Sequence, residues 1–177
     1  MYSEGLSSNN KLYTIMSKQS GGTKKGSASN PKGSSNGGIK KQIASYQKSY
    51  ASNIESDFSF YDIKGVVGQL IGNSIQNEVN SLTELISSIS SIDTYSNLDK
   101  FISDVDKQFS KAEYNLDDKI SVIDHNMQGV TGNAKNKYIK AKDELNSAIY
   151  NMRQLRKKYT TMNLVEFSEF LFKNKLY

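Results

Sequence analysis

The acid–base chemistry open to this chain rests on one histidine and a scatter of carboxylates. His125 follows Asp124 directly. A histidine titrates near neutrality, but catalysis or metal binding needs further groups at facing positions. Nothing nearby beyond Asp124 supplies them, so a surface or capping role is expected. Asp117-Asp118, and Asp104 with Asp106, are carboxylate pairs on the same stretch of chain. On a helix, residues one or two apart diverge, so these pairs read as a solvated acidic face. No Glu-x-x-His arrangement or calcium-binding loop occurs in the sequence. Gly21-Gly22-Thr23-Lys24-Lys25-Gly26-Ser27 has the ingredients of a phosphate loop without the Gly-Lys-Ser/Thr order. With no cysteine in the chain, disulfides and thiolate metal sites are excluded. The expectation is a protein that is not an enzyme and carries no cofactor.

Lysine offers a second kind of chemistry. Residues 1–49 hold eight lysines and one glutamate, whereas residues 50–97 hold six acids and Lys64. Lys24, Lys25, Lys32, Lys40 and Lys41, followed by Tyr46 and Tyr50, could neutralise phosphates without sequence preference. The arm has no arginine, and so lacks the fork that gives shaped phosphate recognition. The competing reading is a solubilising arm.

The elements behind these residues are helical. Residues 1–42 hold seven of the twelve glycines among many Ser, Asn and Lys. Such composition buries too little apolar surface to offset chain entropy, so a disordered basic arm is expected. Residues 43–65 form an aromatic connecting segment. A helical bundle is expected over residues 66–162, with helices at 66–92, 98–127 and 134–162. Apolar positions at Leu98, Ile102, Val105, Phe109, Ala112, Leu116, Ile120, Ile123 and Met127 step by three and four. Tyr138, Ala141, Leu145, Ala148, Met152, Leu155 and Tyr159 repeat that stripe on the next helix. Ser96 or Asn97 is expected to cap the second helix and Asn133 the third. Residues 98–127 carry seven acids against four lysines, and residues 134–162 eight bases against two acids. Opposite charge favours antiparallel pairing of these two arms. The segment 164–177 is crowded with Leu164, Val165, Phe167, Phe170, Leu171 and Phe172, and is expected to pack back on the bundle.

Between the arms lies Gln128-Gly129-Val130-Thr131-Gly132-Asn133, followed by Ala134 and Tyr138. This turn resembles that of the WXG100 family, helical hairpins with Trp-x-Gly at the turn. Here Val130-Thr131-Gly132 stands at that place, with valine for tryptophan. The likeness covers about residues 98–162. It implies export by a type VII secretion system and pairing with a like hairpin or with the N-terminal domain of an LXG toxin. The family's Tyr-x-x-x-Asp/Glu signal would fall at Tyr159, where the fifth residue is Asn163.

The fold expected is all-α: an elongated antiparallel hairpin within a three-helix bundle, with a disordered basic N-terminal arm. The function expected is helical interaction, with a partner or by self-association, through Ile102, Val105, Phe109, Leu116, Leu145, Met152 and Leu155. The alternative is a virion or nucleic-acid-associated structural protein that uses the lysine arm. No run is long and apolar enough for a membrane span, and no signal-peptide h-region opens the chain. Location is expected to be cytoplasmic, or secreted without a cleaved signal peptide.

Overall fold

A computed structural model of the chain describes residues 36–59 and 74–177. In chain order the helices are α1 (Asn36–Ala51), α2 (Ile54–Phe58), α3 (Ser74–Ser87), α4 (Tyr95–Met127), α5 (Gly132–Thr161) and α6 (Leu164–Lys173). A 3-10 turn at Ser88–Ser91 extends α3. The fold is all-α, and the described residues contain no strand. No described helix is long and apolar enough to cross a membrane.

The α4–α5 hairpin is the frame. At 33 and 30 residues these helices reach about 50 and 45 Å. Leu98, Phe101, Ile102, Val105, Phe109, Ala112, Leu116 and Ile123 form the buried stripe of α4. Ala141, Leu145, Ala148, Ile149, Met152, Leu155 and Tyr159 form that of α5. Burial passes over Ile120, which is only partly covered. There the stripe takes two successive steps of four, which turns it off the seam.

Two expectations about helix caps are corrected, and a third helix ends in a tighter turn. The cap of α4 is Thr94, whose hydroxyl accepts from the Asn97 amide at 3.3 Å, so α4 starts earlier than Ser96 or Asn97 would place it. At α5 neither Asn133 nor any other side chain caps the start, and Thr131 in the cap position makes no side-chain bond. The helix expected at 66–92 is described from Ser74, and residues 66–73 lie outside the described residues. Its last turn tightens to 3-10 geometry. There Ser87, Ser88 and Ser91 turn their hydroxyls onto the carbonyls of Thr83, Leu85 and Ser88. Serine competes for backbone acceptors in this way and loosens regular helix.

The larger correction concerns residues 36–42, expected to be disordered. They are the first part of α1. Ile39, Ile43, Tyr46 and Tyr50 repeat at four, three and four, and this stripe enters the core despite two glycines at the helix start. Tyr46 stacks on Phe167 of α6 with ring centroids 5.1 Å apart and lies 5.6 Å from Phe170. Packing overrides poor helix propensity here. The segment expected to be a connector is therefore α1 followed by the single-turn helix α2. The core also exceeds the expected three helices, since α1 and α6 complete it. As expected, α6 packs back, burying Leu164, Phe167 and Leu171.

Candidate functional site

Two regions differ enough to be weighed separately. The base comprises α1, α2, α3, α6 and the adjoining parts of α4 and α5. The tip is the stretch 120–145, beyond the cleft that Ile75 of α3 lines together with Lys119.

At the base, helix ends meet partners far away in the chain. The last carbonyls of a helix lack intrahelical donors. The Tyr50 hydroxyl donates to one of them, the Tyr159 carbonyl, at 2.6 Å. The first amides of a helix likewise lack acceptors. The amide of Tyr95, first residue of α4, donates to the Leu176 carbonyl at 2.7 Å. The Gln47 side-chain Nε2 donates to the Ile92 carbonyl, which ends the 3-10 turn, at 2.8 Å. Leu176 is held in place by a doubled turn closing α6. Its amide reaches the Leu171 carbonyl, and Lys175 reaches that of Phe172. Lys175 takes φ +58 to do so, where glycine is usual.

Between these ends lies an aromatic cluster. Tyr50 meets Phe101 and Tyr159 edge-on, while Phe58 and Tyr159 both lie against Phe109. Asp57 Oδ2 accepts from the Tyr159 hydroxyl and from Lys158 Nζ, each at 2.6 Å. Burial first, and the nearby Tyr159 second, push the Tyr50 hydroxyl above its ordinary titration range. Burial also raises Tyr159, reinforced by its bond to Asp57. Both rings are therefore held as neutral phenols. Asp57 sits in a segment read only as aromatic. Its partners are about a hundred residues away, and no local spacing signals them.

Charge stitches the two arms together. Arg156 grips Asp106 with both ends of its fork, at 2.8 and 3.1 Å, and touches Glu113 at 3.4 Å. The bond to Asp106, above all, raises the Arg156 pKa. Arg153 also meets Glu113, and Lys142 closes on Asp124 at 2.7 Å. Between α3 and α4, Glu78 accepts from Asn115 at 2.5 Å and from Gln108 at 3.3 Å. A shallow cleft lined by Ile75, Glu78, Asn115, Leu116, Lys119 and Met152 lies beside it. Glu78 interrupts the apolar stripe of α3, and these two amides are the reason a carboxylate is tolerated there.

The structure places the candidate residues as follows. Ile102, Val105, Phe109, Leu116, Leu145, Met152 and Leu155 are all 8% exposed or less, within the chain's own core. As folded, they bind the hairpin arms to each other and to α3, and offer no open face. Gly129 and Gly132 take φ +76 and +66, as a glycine turn requires, with half-buried Val130 and exposed Thr131 between them. Lys40 and Lys41 lie exposed on α1 together with Lys48. Lys24, Lys25 and Lys32 lie outside the described residues. His125 is exposed beside Asp124, whose carboxylate is already engaged by Lys142. No group of three or more His, Cys, Asp or Glu that could hold a metal occurs among the described residues.

Comparison with protein-family models, with curated proteins and with solved structures finds no match for this chain. The functional reading therefore rests on the molecule's own surfaces. Sequence reasoning passed over the exposed aromatic residues of the two hairpin arms. Tyr114 on α4 and Tyr150 on α5 are 71% and 64% exposed. They fall outside the apolar stripe, which is why a search for core positions misses them.

Proposed function

We propose that this chain is a non-enzymatic helical interaction protein whose outward hairpin surface receives a protein partner. The observation that carries this reading is the pair of exposed tyrosines, Tyr114 and Tyr150, on two arms whose apolar stripes are already consumed within the chain. Tyrosine offers large amphipathic contact area at small entropic cost and is enriched at the centres of interfaces. The hairpin with its glycine turn supports a type VII secretion substrate or partner as the specific form of this reading. In that case pairing uses the outer face, since the inner stripe is occupied.

The test is light scattering of the purified chain, alone and mixed with a candidate partner hairpin. A discrete complex that Tyr114→Ser with Tyr150→Ser abolishes supports the reading. A complex indifferent to both substitutions removes the tyrosines from it.

A second reading has its own observation. Helix α1 carries Lys40, Lys41 and Lys48 and no acid, and none of the three joins an ion pair among the described residues. A lysine face of this kind suits nucleic-acid phosphates, with affinity falling steeply as salt rises. Uptake of duplex DNA by the full chain, reversed at high salt and by Lys40→Glu with Lys41→Glu, would favour this role over protein pairing.

A further inference from the structure

Apart from Lys157, which is exposed, the bases of α5 fall into two groups. Arg153, Arg156 and Lys158 each meet a carboxylate on another helix. Toward the tip, Lys142 is engaged by Asp124. Beyond it, Lys135, Lys137 and Lys140 are exposed and join no ion pair among the described residues. The stretch from His125 to Ala141 contains no acid, and Asp143 and Glu144 lie one turn beyond Lys140. Helix stability does not account for them. The first turn of α5 has no acidic residue and no side-chain cap, and positive charge there opposes the helix dipole. Local choices that work against the fold tend to mark sites of function.

The arrangement suits a flat surface better than a groove. Lys135 and Lys137 are separated by about 200° around the helix. Lys135 therefore leaves one side of α5, and Lys137 with Lys140, three residues apart, leaves the other, where a duplex would call for a longer row along one side. A single strand would call for open rings, but Tyr138, the aromatic of the tip, is partly buried. The turn places Val130 between its two glycines, and Val122 and Ile139, on different arms, are 45% and 42% exposed. Cations beside Val130 of the turn, with Val122 and Ile139 about 10 Å back along the arms, are complementary to a plane that is anionic outside and apolar beneath.

We propose that the hairpin tip docks end-on onto an anionic phospholipid bilayer. Lys135, Lys137 and Lys140 meet headgroup phosphates, and Val130 enters the interface. Lysines near an anionic leaflet gain from its surface potential, and the gain fades within a Debye length.

The test uses the full chain, pelleted with phosphatidylcholine vesicles with and without phosphatidylglycerol, at low and at high salt. Binding is expected only to the anionic vesicles and only at low salt. The variant Lys135→Glu/Lys137→Glu/Lys140→Glu should weaken it roughly tenfold or more. The α1 variant Lys40→Glu/Lys41→Glu/Lys48→Glu should change it less than about twofold, because those charges stand beyond a Debye length from the bound plane. All six positions are exposed, and circular dichroism checks that both variants stay helical. Lys135→Gln/Lys137→Gln/Lys140→Gln should give an intermediate loss. Because the chain has no cysteine, Thr131→Cys can carry an environment-sensitive dye at the apex. That dye should shift to the blue on anionic vesicles, and the same dye on Gln154→Cys should not. Equal binding to neutral vesicles, loss that follows the α1 lysines, or an unshifted apex dye would each overturn the proposal. So would a tip-dependent affinity for duplex DNA with vesicles ignored.

Discussion

Base and tip of this molecule solve the same problem differently. Each must finish the ends of long helices. At the base the ends of α4, α5 and the 3-10 turn are completed by Leu176, Tyr50 and Gln47, groups distant in sequence. At the tip, α4 ends with the Gln128 amide bonded to the His125 carbonyl just behind it, and α5 begins without any side-chain cap. Aromatic rings fill the base, whereas the tip interior depends on residues such as Ile123, Ala141 and Leu145. Long-range hydrogen bonds and ring packing are thus concentrated at the base, while unpaired lysines stand at both ends, on α1 and on the first turns of α5.

The comparison can be broken most forcefully by truncating the two interiors. Phe109→Ala removes a ring packed between Phe58 and Tyr159, and should cost about 3–5 kcal/mol in chemical denaturation. Ile123→Ala at the tip should cost about 2 kcal/mol, since two helices relax around a gap more freely than a filled core. Equal costs would show that the tip is packed as firmly as the base.

Tyr50→Phe is the next step down. It leaves the Tyr159 carbonyl without its donor, at about 1–3 kcal/mol. It also bears on pH. Tyr50 and Tyr159 are raised above the ordinary tyrosine value of 10.0, so the folded state holds protons that the unfolded state releases. Stability is therefore intact below that value and declines as pH climbs above it. Thermal melts across this alkaline range should show the decline in the native chain and a shallower one in Tyr50→Phe.

Backbone substitutions give the smallest effects, of opposite sign at the two ends. Gly132→Ala meets open space, so its cost of about 1–2 kcal/mol is the strain of positive φ alone. Lys175→Gly relieves the same kind of strain at the base and should raise stability by about 0.5 kcal/mol. A loss in that variant would mean that the Lys175 side chain contributes more than its backbone costs.

The hairpin was legible in the sequence because its evidence is local. Steps of three and four mark α4 and α5, and two glycines mark the positive-φ turn. Helix α1 was obscured because Ile39, Ile43, Tyr46 and Tyr50 sit among glycine, serine and lysine, and their destination in α6 lies more than a hundred residues away. The Asp57–Tyr159 bond was hidden for the same reason. The apolar stripe from Ile102 to Leu155 was visible as something needing cover. Periodicity does not say whether that cover comes from the same chain or another, and here it comes from the same chain. The eight bases of residues 134–162 predict charge pairing with the opposite arm. That holds for Lys142, Arg153 and Arg156 but not for Lys135, Lys137 and Lys140.

Sequence separation also sets an order in time. Lys142 and Asp124 at the tip lie 18 residues apart, whereas Tyr50 with Tyr159, and Asn163 with Ser49, span 109 and 114. Short loops close sooner than long ones, and each long closure costs more chain entropy. The hairpin zips from its turn while α1 still waits for the end of α5 and for α6. By this ordering the base is expected to assemble last, with the apolar stripe of α1 bare until α5 and α6 are in place.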